Sequence, residues 1–384
     1  MLSSCSIRKP QVSKLIRATT ALAVAASSGY TLAQNNGDVR INQIQVIGTH
    51  NSYHSGFAPS AAKLWQQKNP KVFAGLDYRH PSLTAQLDAG VRQIELDIFA
   101  DTKGGLYAHP YAETLISQAG LPADPPFDPE HLMEKPGFKV MHVQDVDYRS
   151  VCQPFTACLA EVRAWSSAHP QHLPIFILVE TKQESLHVNF PTVTPETFTP
   201  AIFDALDREI TSVFSAGETI TPDDVRGSYA TLNQAVRADQ WPTLRQARGK
   251  VVFLMDQKSI GPEYLEGHPS LKGRILFTNA DPGTPDAAFI EQNDDPADSI
   301  NTLVRQGYLI RTRADSDTKE ARSNDTARRN AVLASGAQIV STDYPSSEPA
   351  STGYQVELPG NAVARCNPLL KPSACVDAGF AGDK

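Results

Sequence analysis

Beyond its first 33 residues the sequence lacks any apolar run long enough to cross a bilayer, which takes about 18 to 20 residues, so a multi-span membrane protein is excluded. It also lacks an internal repeat and any linker that would part it into two domains. Charge is not in excess either: 20% of residues are charged and 41% hydrophobic, fractions that exclude a disordered polyelectrolyte and a collagen-like chain. What remains for 384 residues is a globular protein, and an α/β barrel of about 250 residues with insertions fits that length.

The start of the chain has its own pattern. Arg8, Lys9, Lys14 and Arg17 precede the alanine-rich run ATTALAVAASSGYTLA, and Thr31 and Ala33 stand as small residues before Gln34. This reads as a secretory signal peptide over residues 1–33, cleaved near Ala33, with a secreted or periplasmic product. A membrane anchor is the competing reading, and the run is short for one. Removing the leader takes away those four positive charges, leaving 31 basic against 42 acidic residues, a net of −11. A surface of that sign is not expected to bind nucleic acid. Cys5 leaves with the leader, and Cys152, Cys158, Cys366 and Cys375 remain as two close pairs. In an exported protein these predict disulfides Cys152–Cys158 and Cys366–Cys375; a structural zinc site is the alternative, and spacings of six and nine match no common zinc pattern.

Along the mature chain, apolar or β-branched runs recur and each ends in a polar or charged residue: QIQVIGTH, RQIELDIF, FKVMHV, PIFILVE, KVVFLMD, RILFTN, YLIRTR and AQIVSTD. Near-continuous apolar runs indicate strands buried on both faces, as a parallel sheet covered by helices requires. Helical spacing lies between them, at Leu159, Val162 and Trp165, at Ile202, Leu206, Ile210 and Phe214, and over residues 317–335 with Gly336 as the stop. Eight strands alternating with helices predict a single-domain α/β fold, a (β/α)8 TIM barrel, over residues 34–345. Between Phe99 and Phe138 a Pro- and Gly-containing stretch reads as an elaborated loop. Residues 346–384 read as a turn-rich tail with a short cystine loop.

In such a barrel the C-terminal strand ends converge on one mouth. Here those ends carry His50 and Asn51, Glu95 and Asp97, His142, Glu180, Asp256 with Lys258, Asn279, Arg311 with Arg313, and Asp343. Glu95 and Asp97 are two apart on one strand and so share a face. Two carboxylates on one face repel unless a cation or proton lies between them. With Glu180 and the amide oxygen of Asn51 they make four hard oxygen donors, suited to Ca²⁺ or Mg²⁺. Salt bridges from Arg92 or Lys182 are the alternative. Two imidazoles, His50 and His142, are left to move protons in a displacement at phosphorus.

The ordered set GTHNSYH, ELD, KVMHVQDVDYRSVC, ILVETK and STDYP, running from Ile44 to Pro345, resembles the phosphatidylinositol-specific phospholipase C superfamily, and within it the calcium-dependent phosphoinositide phospholipase C branch of bacteria and fungi. The resemblance implies His50 as general base, Asn51, Glu95, Asp97 and Glu180 as ligands of Ca²⁺, and His142 as the second catalytic imidazole. His109, in GLYAHPY, is at a spacing some relatives use for that second histidine and is the alternative, or it lines the loop over the substrate. The implied reaction takes the proton of the inositol 2-hydroxyl at His50 and returns one to the glycerol oxygen from His142, giving diacylglycerol and an inositol cyclic phosphate that water opens later. Lys258, Arg311 and Arg313 are the candidate phosphate binders, and Asp343 either holds a sugar hydroxyl or anchors the last strand. A monomer in transient contact with a membrane surface is expected, with an apolar or basic ridge near Trp65 or Trp241. The competing functions are a glycerophosphodiester phosphodiesterase, whose usual His-Arg-Gly start is replaced here by His50-Asn51-Ser52, and a catalytically silent carbohydrate- or ligand-binding barrel.

Overall fold

Runs of Val, Ile, Leu and Phe pair side by side in this chain because each can bury both of its faces, one in a central core and one under helices. The computed structural model describes residues 36–383 and Met1; the leader expected at 1–33 lies outside the described residues. The strands are β1 (Ile44–Thr49), β2 (Gln93–Phe99), β3 (Lys139–Val140), β4 (Ile175–Thr181), β5 (Thr219–Ile220), β6 (Val251–Met255), β7 (Leu276–Phe277), β8 (Phe289–Glu291), β9 (Leu309–Arg313), β10 (Ile339–Thr342) and β11 (Ala364–Cys366). β1, β2, β4, β6 and β7 pair in parallel in that order, and β8, β9 and β10 lead back to β1. A parallel bridge from Asn279 to Phe289 links the β7 and β8 sides. The result is the expected single-domain barrel of the TIM type.

One expected strand does not join the ring. In FKVMHV only Lys139 and Val140 are extended, and they pair antiparallel with Phe99 and Ile98 at the top of β2, while β4 takes the place beside β2. Phe138 and Val140 are buried as an apolar run demands, but Lys139 in its middle reaches the Asp101 carboxylate at 3.3 Å and the Gly137 carbonyl at 3.2 Å, and the chain then turns into a loop. The ring position is filled by Phe289–Glu291, a three-residue strand too short to show a period. Two further differences concern helices. The helix expected over 317–335 is two, Lys319–Ser323 and Ala327–Ala334, broken at Asn324 with φ 52°, a left-handed conformation that Asn tolerates. The loop after Phe99 holds the helix Tyr111–Gln118, which buries Ala112, Leu115 and Ile116.

The β1–β2 seam is closed tightly. At Gly48 a Cβ would fall 2.6 Å from Gln93 Cβ, so only glycine lets β2 approach there. β11 runs antiparallel to the first half of β1, below that seam. The tail also packs Tyr354, Val356 and Leu358 against Ile47 and Val340. Both expected disulfides are present, Cys152–Cys158 and Cys366–Cys375. At the floor of the barrel Arg92 donates to the carbonyls of Leu87, Val91 and Asp383, so it is remote from the carboxylates it was a candidate to neutralise.

Candidate active site

The strand register sets the acidic cluster. Asp97 on β2 lies opposite Glu180 on β4, and Glu95 lies two residues below Asp97 on the same face. Oxygens of Glu95, Asp97 and Glu180 fall within 4.8 Å of one another. Asn51 reaches the same region from the turn after β1, where φ of 46° puts it in the left-handed region. Its Nδ2 donates to the Tyr78 hydroxyl at 2.8 Å, while its Oδ1 is buried with no partner. Both Asp97 carboxylate oxygens are likewise buried without a hydrogen bond. Lys182 lies 3.2 Å from Asp97 and 2.8 Å from Glu180, the first contact poorly aligned for a hydrogen bond. Buried oxygens left unsatisfied are costly, and these are hard donors of the kind a divalent cation such as Ca²⁺ takes.

Electrostatics in the cluster divide the carboxylates. Burial pushes the Glu95 carboxyl up to about 7 against the pull of Arg311. Burial and the Glu180 charge raise Asp97 well above the usual range. Burial acts on Glu180 as well, but Lys182 outweighs it and holds that group at about 2.

His50 follows β1 directly. Its Nδ1 is 2.7 Å from Asp343 Oδ1 and 3.1 Å from Arg313 Nη2. Nδ1 cannot donate and accept at once; the shorter contact to a carboxylate fixes Nδ1–H as donor, which leaves Nε2 with its lone pair, 3.6 Å from Glu95 Oε1. Burial, then Arg313 and Arg311, hold the His50 imidazole well below its usual range, which favours its neutral form. The His50 carbonyl accepts from His80 Nε2 at 3.0 Å, and His80 Nδ1 lies 2.8 Å from Glu348.

His142 is carried by the loop after β3. Its Nδ1 lies 3.0 Å from Asp147 Oδ2, and the same carboxylate accepts from His54 Nε2 at 2.9 and 3.0 Å. Burial would raise Asp147, but His54 and His142 outweigh it and hold it well below the carboxylate range. The loop is pinned by backbone bonds from His142 and Val143 to the Asp147 carbonyl, by Val151 bonding Tyr53, and by the disulfide at Cys152. Burial lowers the His142 imidazole despite Asp147. The His142 ring lies 6.0 Å from that of His54, on the turn after β1 that also bears His50 and Asn51.

The other candidates are placed differently. Arg313 stays at the mouth, 3.6 Å from Asp343. Arg311 is 1% exposed and pairs with Glu95, with Glu291 at 2.6 Å and with Asn293 at 2.7 Å, so its guanidinium is held inside the barrel. Lys258 is half exposed and pairs with Asp281. His109 is exposed and lines a cleft of about 440 Å³ with Glu113, Ile116, Phe127 and His131, none of them a residue of the mouth. Trp65 and Trp241 are themselves buried. Sequence reasoning missed Glu291 along with its short strand, and it missed His54 and Asp147. The His54 signal was present in GTHNSYH, but nothing local says that its partner lies 93 residues on.

A family model described as "Phosphoinositide phospholipase C, Ca2+-dependent" matches residues 39–368. The chain belongs to that family. Members are enzymes that depend on Ca²⁺, and the acidic cluster with its orphaned oxygens fits such an ion. Among solved structures, the chain is similar to a calcium-dependent phosphoinositol-specific phospholipase C from a Gram-negative bacterium, Pseudomonas sp., described as an apo form, myoinositol complex. The identity is 17% and the TM-score 0.51, over 87% of this chain and 97% of that one. A second crystal form of that protein gives 16% identity and a TM-score of 0.51, over 86% and 96%. At such identities the likeness shows the fold. No curated protein matches this chain.

Proposed function

We propose that the protein cleaves phosphatidylinositol-type lipids at the glycerol–phosphate bond, giving diacylglycerol and an inositol cyclic phosphate. One observation supports this above all: two imidazoles at one mouth each bond a carboxylate through Nδ1, His50 to Asp343 at 2.7 Å and His142 to Asp147 at 3.0 Å. That leaves each Nε2 for proton transfer beside a hard-oxygen cluster.

In this reading Asn51, Glu95, Asp97 and Glu180 hold Ca²⁺, whose charge offsets the negative charge that grows at phosphorus. His50 Nε2 takes the proton of the inositol 2-hydroxyl, and the freed oxygen attacks phosphorus. His142, protonated as the anionic diester enters and raises its proton affinity, gives that proton to the departing glycerol oxygen. Water opens the cyclic product by the same pair in reverse roles. Arg313 holds a phosphate oxygen. Arg311 keeps Glu95 and Glu291 in place, Lys258 stands at the rim, and His109 has no part in proton transfer.

The lipid surface is met by the helices Pro59–Lys68 and Pro70–Leu76, which expose Lys63, Lys68, Lys71 and Val72 and contain no acidic residue. They flank a cavity of about 1160 Å³ that reaches Asp343. The leader over 1–33 directs export, consistent with two disulfides that persist in oxidising compartments. The mature protein is a monomer with its catalytic barrel over 34–345 and its tail over 346–384.

The test is phosphorus NMR of phosphatidylinositol vesicles treated with the mature chain, with Ca²⁺ and then with chelator. Cyclic product that forms only with Ca²⁺ is the expected result. A folded, Ca²⁺-binding protein that leaves the lipid intact and hydrolyses a soluble glycerophosphodiester would overturn the lipase reading.

A further inference from the structure

We infer that His54 is a positioning residue for proton delivery, acting on His142 through Asp147. The inference rests on the reading of His142 as proton donor. Asp147 is a fully buried carboxylate with two side-chain donors: His142 Nδ1 at 3.0 Å on Oδ2, and His54 Nε2 at 3.0 Å from Oδ1 and 2.9 Å from Oδ2. The terminal torsion of an aspartate is broad, so a single donor leaves the carboxylate plane free to rock. A second donor addressing both oxygens fixes the plane, and with it the direction in which His142 points Nε2.

His54 is itself firmly placed. Its amide donates to the Asn51 carbonyl at 2.8 Å, and it bridges Ser150 across the loop that carries His142. Its ring lies 4.6 Å from that of Tyr78 and meets the His142 ring edge-on at 6.0 Å. The turn after β1 that bears His50 and Asn51 therefore also aims the second imidazole. His54 directs Nε2 at the carboxylate that orients His142, and it has no hydrogen bond at Nδ1 that would tie it to another part of the fold.

Leaving-group dependence tests this. Expulsion of an alkoxide needs a proton, whereas 4-nitrophenolate leaves without one, so loss of a correctly aimed acid is felt only on the first. For His54→Ala we expect kcat on phosphatidylinositol to fall about tenfold to a hundredfold, within the range general acid catalysis supplies. KM should hold, and kcat on 4-nitrophenyl inositol phosphate should change less than about threefold. His54→Gln, whose amide still donates to Asp147, should recover most of the loss. His54→Phe, which keeps a packed ring but offers Asp147 no donor, should repeat the selective defect and serves if His54→Ala does not fold. Equal losses on both substrates, or none, would overturn the role of His54. His142→Ala separates the two claims: if it too lacks leaving-group selectivity, the assignment of His142 as donor fails; if it shows selectivity and His54→Ala does not, only the inference fails.

Discussion

Glu95 lies between a buried guanidinium and an acidic cluster. Its Oε2 accepts from Arg311 deep in the barrel, while the carboxylate faces the Asp97–Glu180 cluster and His50. Burial leaves it with a pKa of about 7, so below that pH Ca²⁺ must displace a proton to reach it. Affinity should therefore fall as pH falls, by about tenfold between pH 8 and pH 6 for one proton displaced. Asp97, also raised, can only steepen the slope. Calorimetric titration at the two pH values measures it, and a flat affinity would remove Glu95 from the ligand set. A second expectation concerns the base. His50→Ala should lower turnover by about 10² to 10⁴ with Ca²⁺ affinity unchanged, and a variant retaining most of its activity would end the assignment. At this scale the sequence was legible where the chemistry is local. Glu95 and Asp97 share a face by the period of two, and His50-Asn51 stand at a strand end. It was opaque where a partner comes from far along the chain: Asp343 was visible as a rim residue, but not that it orients His50 from 293 positions away.

The elements divide the work unevenly. His50, Glu95, Asp97 and Glu180 ride on or directly after ring strands, whereas His142 rides on a loop whose end is stapled by Cys152–Cys158. Removing the staple by Cys152→Ala with Cys158→Ala should cost about 2–4 kcal/mol of stability. It should also lower kcat at temperatures where the protein stays folded, and leave Ca²⁺ affinity intact. Thermal melts paired with Ca²⁺ titration check this; a loss of Ca²⁺ binding in the folded variant would mean that the loop supports the cluster directly. The same loop explains why FKVMHV reads as a strand. Phe138, Val140 and Met141 are buried, and burial is all that an apolar run reports; whether the run joins the ring depends on β4 already occupying the edge of β2. Phe289–Glu291 fails in the opposite way, since three residues carry no period and its place is set by neighbours on either side.

Over the whole molecule, charge is distributed against its mean. Residues 34–384 carry a net of −11 by composition, yet residues 59–76 bear Lys63, Lys68 and Lys71 with no acid among them. Near an anionic bilayer each lysine contributes about 1 kcal/mol, within a screening length of about 10 Å or less. Reversing two of them, Lys68→Glu with Lys71→Glu, should weaken sedimentation with anionic vesicles by about tenfold or more at low salt, and the difference should shrink in 0.5 M salt, at a screening length of only a few ångströms. Binding that ignores both the substitutions and the salt would place the membrane-facing surface elsewhere.

The barrel closes β1 against β10 and β11, and His50 at the end of the first is held by Asp343 after the second-last. The histidine therefore comes early in the chain and the carboxylate that orients it late, 293 positions on. A nascent polypeptide that has not yet extended past Asp343 holds a histidine with no fixed direction and a first strand with one open edge. Such long-range closure is slow, and it makes the direction of the His50 ring among the last features of the fold to be set.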